Sequence, residues 1–199
     1  MTPQVKPSAR ETRRLQTRER LLGAAIAEFK RTGMAGADVN AIATAAGVAH
    51  GTFFFHFPSK EHVLLELERR EEARMAREFG RFLQNTPGHR AALAEVLRLV
   101  TDLERRLGTP LFKEFLALHF SPSRPSKDDW TDHPLIVLLV REIERARSDG
   151  AVHPEVDGFY SATFFLLGIY GVLTTTADDN RDTMLRNLVA SAVRGLEIH

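Results

Sequence analysis

The chain has 199 residues, of which 43% are hydrophobic and 27% charged, and its formal net charge is +1. This composition is typical of an ordinary globular protein, and the absence of cysteine excludes a disulfide framework, thiolate metal sites and a cysteine nucleophile. Residues 1–60 hold nine basic and four acidic residues, whereas the remainder holds 18 and 22. We therefore expect a polyanionic partner for the N-terminal part alone, unless its charges only form a solvated helix face.

The N-terminal segment predicts one long helix. Ser8 and Glu11 have the spacing of a capping box, and the apolar residues after them keep helical spacing as far as Gly33, which is expected to end the helix. The basic residues Lys6, Arg10, Arg13 and Arg14 are expected to form an arm that either reaches a phosphate or a minor groove of DNA or is disordered.

Two short helices follow. Asp38 is expected to cap the first, which ends at Gly47, and the second covers roughly residues 49–55 because Pro58 prevents a smooth continuation. Two short helices that are joined at a glycine and follow a longer helix have the geometry of a helix-turn-helix, whose second helix enters the DNA major groove. Many helical hairpins share this spacing, so the pattern alone is a weak indication of DNA binding.

The rest of the chain predicts helices only. Amphipathic segments alternate with breaks rich in proline and serine, the longest of which is SPSRPSKDDWTDHP. No strand-like alternation or hairpin signal occurs, so the predicted class is all-α with about nine helices. The predicted helices of this part begin at Ser59, after Pro87, near Leu111, at Pro134, near Glu155 and at Arg181.

Residues 15–67 carry a more specific pattern. The segments AAIAEFKRTG, VNAIATAAGVAHGT, HF and SKE follow one another in an order and at a spacing that resemble the N-terminal domain of the tetracycline-repressor (TetR) family. The resemblance implies a ligand-responsive transcriptional regulator, usually a repressor, that binds a palindromic operator as a homodimer and is released by a small molecule. It also implies a flexible basic arm over residues 1–10, a helix-turn-helix DNA-binding domain over 11–58, and a larger helical ligand-binding and dimerisation domain over 59–199.

The resemblance places the DNA contacts around the stretch HGTFFFHF. His50 and Thr52 occupy the start of the recognition helix, where base edges are read, whereas positions 54 and 49 depart from the family pattern. Phe54 lacks the hydroxyl of the usual tyrosine, which can bond a phosphate, and Ala49 lacks a capping hydroxyl, a loss of roughly 1 kcal/mol of helix stability. The expected DNA-binding residues are Asn40, Ala49, His50, Thr52, Phe54, Phe55, His56 and Lys60, with His56 and Lys60 at phosphate-contacting positions.

The same stretch has two interpretations besides DNA contact. His50, His56 and His62 are spaced by six residues, so they do not share one helical face, and no zinc motif or enzyme motif occurs in the chain. We therefore expect no metal, no cofactor and no catalytic residues. Phe53 and Phe57 are four residues apart, on one helical face, and are expected in the core.

The C-terminal domain is expected to hold the sensor. Its aromatic residues lie on apolar faces, and such residues line ligand pockets as well as plain cores. The candidate pocket residues, for a largely apolar effector, are Phe82, Phe112, Phe115, His119, Trp130 and Phe164. A packed domain without a cavity would instead indicate a DNA-binding regulator that has no small-molecule ligand.

The last two helices are expected to form the dimer. The stretch FYSATFFLLGIYGVL is apolar on nearly all sides, which is unusual for a helix with one wet face. The alternative is a buried central helix in a monomer. The candidate dimerisation residues are Phe164, Leu167, Gly168, Gly171, Leu185, Leu188, Val189 and Ala192.

Nothing in the sequence predicts export or membrane insertion. The basic N-terminus is not followed by an apolar stretch, as it would be in a signal peptide. The longest apolar run, FFLLGIYGVL, has about half of the roughly 20 residues that cross a bilayer. We therefore expect a cytoplasmic protein without a membrane partner.

Overall fold

The computed structural model describes residues 8–121 and 133–198, which form nine α-helices and no strand. This confirms the predicted all-α class and the predicted number of helices. The helices, in chain order, are α1 (Ala9–Gly36), α2 (Val39–Ala45), α3 (His50–His56), α4 (Lys60–Leu83), α5 (His89–Leu107), α6 (Thr109–His119), α7 (Pro134–Ser148), α8 (Gly158–Thr175) and α9 (Asp178–Leu196).

Helix α1 begins with the predicted capping box. Ser8 Oγ accepts a hydrogen bond from the Glu11 backbone N–H at 3.2 Å, and the Glu11 carboxylate accepts one from the Ser8 N–H at 3.2 Å. These two bonds satisfy backbone donors that the first helical turn leaves unpaired. The helix starts at Ala9, so Arg10, Arg13 and Arg14, which were expected in the basic arm, are part of α1.

The predicted end of α1 is a kink instead. Gly33 has φ 73° and ψ 162°, outside the helical region, and helical residues continue after it to Gly36. Glycine adopts a positive φ without a steric penalty, which is why the break falls at this residue. The sequence signal was correct in position, but it marks a change of direction inside one element.

By its contacts the chain forms two compact units. The first comprises the described residues 8–67 and 117–121, and the second comprises 68–116 and 133–198, so that α4 and α6 each contribute to both. The core of the first unit contains the fully buried rings of Phe53 and Phe57, whose centroids are 6.0 Å apart. The core prediction for these two residues is confirmed. Other buried members are Leu21, Ala25, Phe29, Ile42 and Val63.

The turn between α2 and α3 gives the first unit its helix-turn-helix. The Asp38 carboxylate caps α2, as predicted, by accepting a hydrogen bond from the Asn40 N–H at 2.8 Å. Gly47 then turns the chain with φ 66°, and the Val48 N–H donates to the Ala43 carbonyl at 3.0 Å. Helix α3 starts without a side-chain cap, because Ala49 stands at the capping position.

The second unit is built around α5, α7, α8 and α9, with α8 packed against α7 and α9. Pro134 lies in the first turn of α7, as predicted, where its missing N–H costs nothing. On α8, a Cβ added to Gly168 would lie 2.8 Å from Leu188 Cδ1 of α9. The absence of a side chain at this glycine therefore allows α8 and α9 of the same chain to pack closely.

Helix α8 is the one helix, among the described residues, that is long and apolar enough to cross a membrane, although a third of it is buried inside the chain. Core helices of water-soluble proteins pass the same test of length and hydropathy. Since α8 packs against two other helices, the test is weak evidence for a membrane span.

Candidate nucleic-acid interface

Helix α3 separates a buried face from an exposed one. Phe53 is fully buried, whereas the neighbouring rings of Phe54 and Phe55 are 45% and 73% exposed. The His50 ring is exposed as well, and it meets the Phe54 ring edge-on with the centroids 5.3 Å apart. Thr52 is half-buried on this helix. Among the residues expected to contact DNA, Phe54 and Phe55 therefore form an exposed aromatic surface, and the buried side of the same helix packs in the core.

An arginine of α1 holds the C-terminal end of α3 in place. Arg18 Nη1 donates to the His56 carbonyl at 2.5 Å, and Arg18 Nη2 donates to Glu66 Oε2 at 3.1 Å. Its guanidinium carbon lies 4.2 Å from the centroid of the Phe57 ring, a cation–π contact. Sequence reasoning missed this role because Arg18 is separated from His56 by 38 positions, and no local pattern reveals such a pair.

His56 is half-buried at the last position of α3. Burial lowers the pKa of its imidazole, and the positive charges of Arg18 and Arg14 lower it further. A neutral imidazole can still donate one hydrogen bond to a phosphate, but it adds no charge. Burial and the neighbouring arginines therefore disfavour the charged form of His56 in the DNA-free protein, whereas a phosphate beside it would favour that form.

Lys60, at the start of α4, already has two partners. Its Nζ donates to the Ala35 carbonyl at 3.0 Å and to the Ala37 carbonyl at 3.3 Å. These carbonyls lie at the C-terminal end of α1, where a cation is favoured by the helix dipole. An ammonium group has three donors, so the phosphate contact expected of Lys60 would use the third. Asn40 is exposed at the start of α2, and its contact with the DNA backbone stays a prediction.

The candidate ligand residues have different surroundings in the described part of the chain. Phe112 and Phe115 are buried and stack with ring centroids 6.4 Å apart, while Phe82 stacks on Phe79 at 6.5 Å. His119 belongs by its contacts to the first unit, not to the second. Trp130 lies outside the described residues, as does Lys6 of the predicted arm.

The second unit does contain an apolar groove of about 280 Å³ between α5, α7, α8 and α9. Phe164 is the member of the predicted pocket that lines it. Two serines, Ser161 and Ser191, are its hydroxyl-bearing lining residues. The apolar lining includes Leu93, Ile143, Phe165, Leu188, Ala192 and Leu196.

Buried polar groups in the second unit escaped the sequence analysis. Glu68 of α4 is buried, and His133 Nδ1 lies 2.8 Å from Glu72 Oε1. Burial raises the pKa of the Tyr170 hydroxyl, and the neighbouring Glu72 and Glu68 raise it further. Glu68 and Glu72 are four residues apart, a spacing that could have been read as one helical face.

The candidate dimerisation residues divide into exposed and buried ones. Phe164, Leu167 and Gly171 are exposed on α8 and, together with the exposed Tyr160, form one stripe at helical spacing. Leu185 is buried inside the chain and Gly168 faces Leu188 of the same chain, so both take part in packing within the chain, and their part in a dimer stays a prediction. Leu188, Val189 and Ala192 are half-buried on α9.

The family model described as "Bacterial regulatory proteins, tetR family" matches residues 21–67, which contain the helix-turn-helix. The HTH-type transcriptional repressor AcnR of Corynebacterium efficiens is 28% identical over 193 residues, which cover 90% of this chain and 94% of that relative.

Solved structures share the fold along the chain. A protein of unknown function from Rhodococcus sp. RHA1 matches with a TM-score of 0.73 at 20% identity, over 100% of both chains. The TetR-family repressor FadR of Thermus thermophilus, solved in complex with lauroyl-CoA, matches with a TM-score of 0.69 at 22% identity, over 92% of this chain and 96% of that one. The family model shows a TetR-family DNA-binding domain over residues 21–67, and with the repressor relative it supports a DNA-binding transcriptional regulator and not an enzyme. The solved structures show that the fold is shared along the chain.

Proposed function

We propose that this regulator is a repressor that binds a palindromic operator as a homodimer and leaves it when a small, largely apolar effector binds. The observation that carries the proposal is α3, a short helix with one face locked into the core and the other presenting His50, Phe54 and Phe55 to solvent. Such a helix can lie in a major groove with its exposed side chains against base edges and backbone. The repressor relative AcnR supports the direction of regulation.

The homodimer is supported by the exposed stripe on α8. Tyr160, Phe164 and Leu167 are large apolar or aromatic residues that a monomer would leave in water. A twofold axis through this face would make the same stripe meet its copy. Two recognition helices related by that axis would read two half-sites about one helical turn of DNA apart, and the operator would be a palindrome.

The effector is supported by the apolar groove and by one structural relative. The groove is lined mainly by aliphatic and aromatic side chains, with two serine hydroxyls to orient a ligand. Thermus thermophilus FadR was solved in complex with lauroyl-CoA, a molecule with a long apolar acyl chain. We therefore expect a largely apolar effector for this chain, bound in the second unit.

Release of the regulator from its operator is expected to follow from the effector's preference for one conformation of the protein. An effector lowers DNA affinity only if it binds better to a conformation in which the recognition helices are badly spaced. Helix α4 contributes residues to both units, so it is the segment that we expect to shift. The same spacing of the α3 helices in free, DNA-bound and effector-bound crystals would contradict this mechanism.

The alternative is a regulator without a small-molecule ligand. It is favoured by the stacked, buried pair Phe112 and Phe115, two predicted pocket residues that are part of the core. An effector screen against the protein–DNA complex separates the two: release by at least one apolar compound supports the effector.

The proposal is tested by a gel-shift titration against the upstream intergenic DNA of the regulator's own gene, with excess competitor DNA. The variant His50→Ala/Thr52→Ala is expected to lose sequence preference while retaining salt-sensitive binding. Lys113→Ala, a change in α6 within the second unit, is the control and should shift the DNA like the wild type. We also place the protein in the cytoplasm, where such DNA is found.

A further inference from the structure

The C-terminal end of α9 forms part of the wall of the apolar groove in the second unit. Leu196, the last residue of α9, is buried and lines the groove next to Gly195. On α5, the groove is lined by the buried Leu93, which lies one helical turn after His89. The separation of α5 and α9 beside these two leucines therefore contributes to the width of the groove. At about 280 Å³, the groove is just below the roughly 300–1,000 Å³ of typical ligand pockets, so a small change in width decides which ligands fit.

The residues at this end of α9 are tied to two other parts of the second unit. Glu197 Oε1 lies 3.1 Å from His89 Nε2, and Glu197 Oε2 accepts a hydrogen bond from Arg90 Nη2, so the carboxylate contacts the first two residues of α5. The Leu196 carbonyl accepts a hydrogen bond at 2.8 Å from the His153 N–H, which lies between α7 and α8. These contacts form a C-terminal tether that holds Leu196 in the groove wall.

The contact with His89 is the main part of the tether. The Arg90 side chain is 68% exposed, and ion pairs of exposed side chains contribute little to stability. His89 is buried, and a buried imidazole needs a hydrogen-bond partner. Because an ionised carboxylate only accepts hydrogen bonds, His89 Nε2 donates to Glu197. No local pattern in the sequence reveals this pair, since the two residues are 108 positions apart.

We propose that Glu197 is a positioning residue of the effector groove: through His89 it holds Leu196 in place and so restricts the groove to slender apolar ligands, such as an unbranched chain. The inference rests on the effector site proposed above and adds the residue that sets its selectivity. Without the carboxylate, the end of α9 loses its side-chain link to α5, and Leu196 can move away from Leu93. The groove then admits a broader ligand.

A tether that only stabilises the fold makes a different prediction. A loss of stability alone weakens every ligand by a similar factor, whereas a wider groove changes the ratio of affinities for slender and bulky ligands. The matched control for Glu197→Gln is Glu95→Gln. Glu95 also lies on α5 and forms an ion pair, with Arg98 at 2.6 Å, but it does not line the groove and its partner is on its own helix.

Hydrogen exchange of the His153 amide tests whether Glu197 holds Leu196. This amide donates to the Leu196 carbonyl, so it exchanges when the end of α9 opens locally. In Glu197→Gln its exchange should be faster than in the wild type, on the order of tenfold, whereas Glu95→Gln should leave it unchanged. Equal exchange in the wild type and Glu197→Gln would overturn the proposal, because Leu196 would then be held without the carboxylate.

The selectivity of the groove is measured with two apolar alcohols, the straight-chain dodecanol and the cage-shaped adamantanol. Binding to the full chain is followed through the NMR methyl signals of Leu93 and Leu196, which report occupancy of the groove. The wild type should prefer dodecanol, and Glu197→Gln should lower the ratio of the two affinities on the order of tenfold. Glu95→Gln should keep the wild-type ratio. Equal weakening of both alcohols in Glu197→Gln would overturn the proposal, because it would show a role in stability alone.

The same titrations separate this inference from the proposed function. If the wild type binds the alcohols in the groove and Glu197→Gln keeps the wild-type ratio, the groove remains the effector site and only the role of Glu197 is wrong. If neither alcohol shifts the methyl signals of the wild type, the groove is not an apolar effector site, and the inference fails together with that part of the proposed function.

Discussion

The two units of the chain use exposed aromatic residues in different ways. In the first unit, Phe54 and Phe55 are exposed on a seven-residue helix, and the neighbouring Phe53 is buried and anchors that helix in the core. In the second unit, Tyr160 and Phe164 are exposed on an 18-residue helix that is apolar on nearly every side. On a short helix with one buried face, the exposed side chains are the candidates for contact with a partner. On a helix that is apolar on all sides, core residues and interface residues have the same composition, so residue type does not distinguish them.

The largest expected effect sharpens this contrast within α3. Phe53→Ala should lower the free energy of unfolding by about 3–5 kcal/mol, because it leaves a cavity at a fully buried position. Phe54→Ala, at an exposed position, should change it by less than about 0.5 kcal/mol. Urea unfolding of both variants checks the pair, and similar losses for the two would show that the exposed ring also belongs to the core.

A smaller change in the free energy of unfolding is expected on α8, where residue composition does not distinguish core residues from interface residues. Gly168→Ala would place a Cβ 2.8 Å from Leu188 Cδ1, so the Leu188 side chain must shift, and the cost of that shift offsets the roughly 0.5–1 kcal/mol by which alanine stabilises a helix over glycine. Gly171→Ala meets no atom within 4 Å and is the matched control, with no destabilisation expected. Thermal unfolding compares the two variants; if Gly171→Ala were the more harmful, the internal role assigned to Gly168 would be wrong.

DNA affinity is expected to change a few-fold when a hydroxyl is restored on α3. Phe54→Tyr returns the donor that the family usually has at this position, and one hydrogen bond contributes about 0.5–1.5 kcal/mol. DNA affinity should rise accordingly, without a change in salt slope, while Phe54→Leu should not raise it. Titrations of both variants against the same duplex provide the check, and an unchanged affinity for Phe54→Tyr would mean that no phosphate lies within reach of the ring.

The smallest effect is a dependence of stability on pH. The pKa of His56 is lowered in the folded chain, below its unfolded value of about 6.5. Its contribution to stability is therefore fully present above that value and is lost as the pH falls, because the unfolded chain binds the proton more readily. Urea unfolding is measured at about pH 7.5 and about pH 5.5, on either side of the unfolded pKa. The free energy of unfolding should fall less between these two pH values for His56→Gln than for the wild type. An identical loss in both proteins would contradict the assignment.

Local signals predicted much of the first unit. The capping box of Ser8, the cap of Asp38 and the core pair Phe53 and Phe57 are each set by residues a few positions apart, and the structure confirms all of them. The partners of distant residues could not be predicted in this way. Lys60 meets carbonyls 25 and 23 positions earlier, and no periodicity within a helix carries that information.

The second unit shows the same limit more strongly. Phe112 and Phe164 were both expected in the ligand pocket; Phe112 is fully buried in a stacked pair, whereas Phe164 is exposed on α8 and lines the groove. Both are phenylalanines on apolar helical faces, so side-chain type alone cannot separate them. Which face of a helix is covered depends on its neighbours, and those are set by tertiary packing.

The central claim is that α3 reads an operator as part of a twofold dimer, and selection of bound duplexes from random DNA tests it most directly. The full chain is expected to enrich a palindrome whose half-sites lie about one helical turn apart, and His50→Ala/Thr52→Ala should lose or alter it. Enrichment of an isolated half-site would contradict the dimer. Absence of any enriched sequence, with the wild-type protein folded, would contradict operator recognition by α3.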